Sequence, residues 1–285
     1  MKPNQTYKLA FSSCPNDTFI FKAIARQLID LHGYCFDIVL EDVETLNQKA
    51  AKGTYDITKL SFAAFGSLVQ TYALLRTGSA LGLGCGPLII SLPGRSLDDK
   101  TKPVIAVPGM GTTAYHLFRL YMDDTFIDMD ASIIPMPFEK IMPAVIEKKA
   151  DFGVIIHEGR FVYPDMGLEL KTDLGLWWEN KTLLPIPLGC IAIKRDIDSA
   201  IACDIQDLIG KSIEHAFLNP FMAYDYIQTH AQELDEDVIQ QHIGLYVNDY
   251  SKDIGGKGEA AINTFFEKTC ASGLIKKSES SLFAC

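Results

Sequence analysis

The residues of this chain that can do chemistry stand at the ends of apolar runs. His157 closes the run at 152–156 and is followed by Glu158, Gly159 and Arg160. An imidazole titrates near neutrality, so a histidine at a strand end can take a proton from carbon or oxygen at physiological pH. A hydrogen-bonded structural histidine is equally compatible with that position. Glu158 is expected on the opposite face of a continuing strand and is not assigned to orient His157. Thr112 and Thr113 follow the turn Pro108-Gly109-Met110-Gly111 and open a helix. A helix start offers unpaired N–H groups and partial positive charge, which suits a carboxylate, although one threonine also serves as an ordinary cap. Lys59 and Ser61 end a second apolar run and, two residues apart, share a face. Asn16 and Asp17 sit in the first strand-to-helix turn, where a cap needs only one of them. Gly86 belongs to the glycine-dense stretch 82–87, where backbone can approach a ligand or a strand closely.

Other chemistry lacks a motif. There is no P-loop, HExxH or Ser-His-Asp order. Gly109-x-Gly111 lacks the third glycine of a dinucleotide site. Seven scattered cysteines without a CxxC speak against zinc or a disulfide framework and for reduced, cytoplasmic thiols. Trp177 and Trp178 are expected in packing rather than over a ligand.

The elements that position these residues alternate. Strands are expected at 7–11, 36–40 and 56–60, with helices at 18–31 and 43–51 between them. Residues 61–92 should hold one helix and one or two buried strands. After a polar connection at 98–103, strands at 104–107, 132–135 and 151–156 alternate with helices at 112–122 and 138–149. From residue 196 the pattern is helical, at 201–217, 220–232, 235–246 and 257–272. The two βαβ units echo each other: Asp56 and Asp151 each open an apolar strand, which puts Ser61 and His157 at corresponding strand ends. Ligands of open α/β sheets gather at the carboxyl ends of strands.

The expected architecture is therefore α/β and two-lobed. Lobe 1 comprises residues 1–103, with 194–285 packing back on it, and lobe 2 comprises 104–193. The chain would cross near 103 and 193. With 285 residues, 48% of them apolar, a packed core is expected. A net charge of −10 argues against nucleic acid, so an anionic ligand must be held by local donors. No apolar run is long enough for a membrane span, and the polar start does not read as a secretory leader. The partner expected is a small anionic molecule; no oligomeric state is legible.

Several stretches together resemble the 1,4-dihydroxy-6-naphthoate synthase family. They are Ser13-Cys14-Pro15-Asn16-Asp17-Thr18-Phe19, Thr58-Lys59-Leu60-Ser61, Gly84-Cys85-Gly86-Pro87, Gly111-Thr112-Thr113-Ala114, Ile156-His157-Glu158-Gly159-Arg160-Phe161, and the segment from Asp173 to Gly189. The resemblance covers about residues 7–193 and leaves the helical tail aside. It implies a periplasmic-binding-protein-like (type II) fold with a cleft between lobes, and no metal or organic cofactor. It implies a lyase of the futalosine route to menaquinone. The reaction converts cyclic dehypoxanthinyl futalosine to 1,4-dihydroxy-6-naphthoate and releases dihydroxyacetone. It implies His157 as the base, with substrate contacts at Lys59, Leu60, Ser61, Thr112 and Thr113. Chorismate dehydratases resemble it next, and a small-anion binding protein without catalysis is the alternative of another class.

Overall fold

The computed structural model describes residues 5–97, 102–125, 131–230 and 235–285, with backbone alone for 221–225. Most of the connection expected at 98–103, and the end of the helix expected to reach 232, lie outside the described residues.

The chain opens with β1 (Thr6–Phe11), α1 (Pro15–Ala25), β2 (Cys35–Leu40), α2 (Val43–Ala50) and β3 (Ile57–Ser61). Next come α3 (Phe62–Leu68), β4 (Tyr72–Leu74), β5 (Ala80–Gly82) and β6 (Leu88–Ser91), one strand more than expected. A second run follows: β7 (Val104–Val107), α4 (Thr113–Thr125), β8 (Ser132–Pro135), α5 (Phe138–Ile146) and β9 (Phe152–Ile155). The chain then forms α6 (Gly159–Val162), β10 (Glu169–Asp173), α7 (Leu174–Thr182) and β11 (Ile186–Lys194). It ends in α8 (Ser199–Leu218), α9 (Pro220–His230), α10 (Glu236–Tyr246), α11 (Asp249–Lys252) and α12 (Gly255–Ala271).

Two sheets result, ordered β2-β1-β3-β11-β4, with β5 also on β11, and β10-β6-β9-β7-β8. Their layouts correspond. β1 lies parallel between β2 and β3, and β7 parallel between β8 and β9. An antiparallel strand follows in each, β11 on β3 and β6 on β9. The echo in the sequence has a physical cause. Asp56 Oδ2 accepts the Lys8 N–H at 2.9 Å, and Asp151 Oδ2 accepts the Val104 N–H at 2.9 Å. Each aspartate thus ties the last strand of its run to the start of the first.

The crossings expected near residues 103 and 193 lie elsewhere. Leu88 already pairs with Ile155 in the second sheet, and Gly189 pairs with Ser61 in the first. Pro187 and Gly189 argue against a central strand at β11. Pro187 escapes that rule because it precedes the β3 ladder and sits at a register shift against β5.

Helices cover both sheets. α1 packs on α8 and α10, and Phe11 stacks on Phe21 at 4.6 Å. Trp178 is fully buried, donates to the Pro185 carbonyl at 3.0 Å and meets Phe265 of α12 edge-on. Trp177 donates to Asp124. Both tryptophans are packing residues. The all-reduced reading of the cysteines is corrected: Cys203 and Cys285 form a disulfide between α8 and the chain end. Their sequence separation of 82 residues hides the pairing from any spacing rule.

His116 on α4 stacks on Phe265, and its Nδ1 has no partner among the described residues. Burial pushes its pKa from 6.5 down to about 4. The unfolded chain binds this proton near pH 6.5 and the folded chain only near 4. Stability should be intact above about 6.5 and fall as the pH drops toward 4, by up to ~1.4 kcal/mol per pH unit. Thermal unfolding followed from about pH 7 to about pH 5 should show this fall, and His116→Phe should remove one proton's share of it.

Candidate active site

The strand ends of the two sheets face one another across a cavity of about 90 Å³. From the first sheet it is lined by Ser12, Asn16, Asp17, Lys59, Ser61 and Gly189, and from the second-sheet side by Thr112, Thr113 and His157. Gly86 also lines it, as do His242 and Tyr246 of the helical tail. Of the site residues expected from the sequence, Leu60 alone stays out. It points to the opposite face of β3 and is fully buried in the core, as strand alternation between Lys59 and Ser61 requires.

The floor is a buried ion pair. Lys59 Nζ donates to Asp17 Oδ1 at 2.6 Å, and Asn16 Nδ2 donates to the same oxygen at 2.8 Å. Asp17 Oδ2 accepts from the Ser12 hydroxyl at 2.7 Å and the Ser12 N–H at 3.1 Å. Asp17 therefore spends its acceptors on positioning Lys59, Ser12 and Asn16.

His157 follows β9 in the left-handed region, with φ 55°. That conformation is uncommon for a residue with a side chain and turns the chain sharply. Phe138 meets the imidazole edge-on at 5.1 Å, and Cys14 Sγ lies 3.9 Å from its Nδ1. Burial depresses the His157 pKa from 6.5 to about 4, with Asp17 opposing and Lys59 adding to the effect. The ring is therefore neutral at physiological pH. With its proton on Nδ1, toward the Cys14 sulfur, Nε2 keeps a lone pair. Burial also drives the Cys14 thiol well above its usual pKa, so it stays protonated.

The hydroxyls expected to hold an anion are engaged otherwise. Ser61 caps α3 through Ala64 N and donates to the Gly111 carbonyl at 2.8 Å. Thr113 Oγ1 donates to the Leu188 carbonyl at 2.8 Å and accepts from Ala63 N at 3.3 Å. These bonds run between the two sheets. Thr112 donates to the Gly109 carbonyl and accepts from Tyr115 N, which makes it the cap of α4. What α4 offers an anion is thus its first backbone N–H groups, at Thr113 and Ala114, which have no acceptor within the helix.

Gly86, at φ 148°, has no room for a Cβ, which would lie 2.7 Å from Gly175 Cα. Arg160 secures this corner by donating to the Gly86 carbonyl at 3.0 Å and pairing with Asp173. Glu158 does not orient His157; its Oε1 lies 3.6 Å from His242 Nδ1. His242 and Tyr246 are one turn apart on α10, so both reach the cavity. Their i, i+4 spacing was the available signal, but nothing local ties a helix so far along the chain to a site at residue 157. Among the described residues no cluster of three or more His, Cys, Asp or Glu could hold a metal.

The arrangement is that of a ligand site at the strand ends of two facing sheets, and solved structures share its fold. The periplasmic aliphatic sulphonate binding protein SsuA from Escherichia coli superposes with a TM-score of 0.67 at 10% identity, over 95% of this chain and 89% of that one. A Xanthomonas axonopodis alkanesulfonate-binding protein gives 0.73 at 12%, over 98% and 96%. The fold is periplasmic-binding-protein-like. Protein AF1704 from Archaeoglobus fulgidus matches with a TM-score of 0.88 at 33% identity, over 96% and 100% of the two chains. The family model described as menaquinone biosynthesis matches residues 7–271. Two relatives called 1,4-dihydroxy-6-naphthoate synthase are 40% identical: one from Thermus thermophilus over 98% of this chain and 99% of its own, one from Streptomyces coelicolor over 95% of each. The chain belongs to the 1,4-dihydroxy-6-naphthoate synthase family of menaquinone biosynthesis. The match to 271 extends the resemblance read at 7–193 through most of the helical tail. The cytoplasmic expectation is corrected by the same neighbours: a fold shared with a periplasmic protein assigns no compartment to this chain.

Proposed function

We propose that this cavity is the active site of a carbon–carbon lyase. The enzyme converts cyclic dehypoxanthinyl futalosine to 1,4-dihydroxy-6-naphthoate with release of dihydroxyacetone. One observation carries the reading: His157, neutral and with a lone pair to offer, faces the α4 amides and the Lys59–Asp17 pair across one cavity. The substrate carboxylate takes the N–H groups of Thr113 and Ala114. His157 removes a proton, the carbon–carbon bond breaks, and aromatisation of the ring drives the step forward.

The two sheets act as two lobes of a type II binding-protein fold. One lobe carries β1–β5, β11 and the helices after residue 198, and the other carries β6–β10. A cavity of about 90 Å³ is far below the ~300–1,000 Å³ of small-molecule sites. The lobes therefore open to admit substrate, breaking the Ser61–Gly111 and Thr113–Leu188 bonds, and close to exclude water. The ligand is a small anion; neither nucleic acid nor membrane is a partner.

Incubating the protein with cyclic dehypoxanthinyl futalosine should yield naphthoate and dihydroxyacetone. Binding without turnover would leave an anion-binding protein, and consumption of chorismate instead would indicate a dehydratase. The pH profile gives a further expectation. Activity needs unprotonated His157, so kcat/KM should hold through pH 6 and fall only as the pH drops through about 4. An acid limb near 6.5 would place the base elsewhere.

A further inference from the structure

Breaking a carbon–carbon bond without a co-reactant requires two proton transfers. The base takes one proton from an O–H or C–H group of the substrate, and the electron pair of that O–H or C–H bond forms a new double bond. The pair of the breaking carbon–carbon bond stays on the departing three-carbon fragment, which takes up one proton to leave as neutral dihydroxyacetone. His157 supplies the base, and a donor is still needed.

The cavity holds a second imidazole. His242 is fully buried, and its ring lies nearly parallel to that of His157, at 11° with centroids 6.1 Å apart. Asn16 Nδ2 is committed to Asp17, so the Asn16 carbonyl oxygen faces His242 Nε2 at 3.0 Å and requires a proton there. The opposite nitrogen, Nδ1, is buried without a hydrogen-bond partner among the described residues and lies 3.6 Å from Glu158 Oε1. Burial, with His157 and Lys59 nearby, holds the ring's pKa well below 6.5, so it rests neutral with its proton on Nε2. As Nε2 gives that proton up, Nδ1 takes one from the Glu158 side, so the ring passes a proton on without resting as a cation. Because Asn16 also lines the cavity, a substrate atom beside Asn16 lies next to Nε2. The groups that face the ring are His157 after β9, Glu158, Asn16 and Asp17 of α1, Lys59 of β3, and Tyr246, whose ring centroid is 4.6 Å away.

We propose that His242, backed by Glu158, is the general acid of this site and returns through Nε2 the proton that the departing fragment needs. This rests on the lyase reading. Protons taken at His157 and given at His242 balance, and exchange with solvent resets both rings between turnovers.

The test compares wild type, His157→Ala, His242→Gln and Glu158→Gln on cyclic dehypoxanthinyl futalosine. His242→Gln should lose about 10²-fold or more in kcat while KM stays within about threefold. It should also lose the alkaline limb of the kcat profile, which reports the acid, whereas a merely structural histidine would leave that limb in place. Glu158→Gln should lower kcat about tenfold and shift the same limb. An inert wild-type protein would sink the lyase reading itself. An active wild type, a dead His157→Ala and a His242→Gln within about threefold of wild type would overturn the assignment of His242 alone. Should His242→Gln fail to fold, Glu158→Gln decides: a shifted limb supports the acid, and an unmoved one overturns it.

Discussion

Replacing His157 with alanine should leave a folded protein that binds substrate and turns it over about 10²–10⁴-fold more slowly. The ring touches Cys14 and Phe138 and opens on the cavity, yet no secondary-structure ladder depends on its side chain. Its left-handed backbone conformation is no easier for alanine, so a modest loss of stability accompanies the change. Two readouts separate the effects. Thermal unfolding reports the backbone strain, and single-turnover kinetics with saturating substrate report the missing base. Turnover near the wild-type rate in a folded His157→Ala would remove the base from the mechanism.

The second large effect is on stability. Lys59 and Asp17 are buried at 7% and 1% side-chain exposure, and each is the other's counter-ion. A buried pair contributes little net stability when intact, because desolvation offsets attraction, but losing one partner strands the other charge in the interior. Lys59→Met should therefore cost about 3–5 kcal/mol, read as a lower urea midpoint at unchanged slope. Adding Asp17→Asn should restore much of it, since the amide oxygen still accepts from Ser12 while the stranded charge is gone. A single variant as stable as wild type would mean that water reaches Asp17.

Much of this site was legible in the sequence because its residues lie at ends of locally patterned elements. The Asp56 and Asp151 echo marked two matching runs, and alternation put Lys59 and Ser61 on one face. Alternation also excludes Leu60, which resemblance alone had included. What escaped depends on contacts between distant segments. β11 carries Pro187 and Gly189, which read against a central strand until the bulge beside β5 is seen. His242 meets Asn16 across 226 residues, and Cys203 meets Cys285 across 82. No periodicity encodes such pairs. In this structure the Ser61 and Thr113 hydroxyls go to the Gly111 and Leu188 carbonyls, and that choice of acceptor is set by the opposing sheet rather than by local sequence.

A crystal structure of the protein with 1,4-dihydroxy-6-naphthoate bound examines the core of the account. It should show the product enclosed between the sheets, its carboxylate on the N–H groups of Thr113 and Ala114, and a ring nitrogen of His157 within about 3 Å of it or one water away. Product seated on another surface, or inside the cavity with His157 turned away behind Phe138, would contradict it.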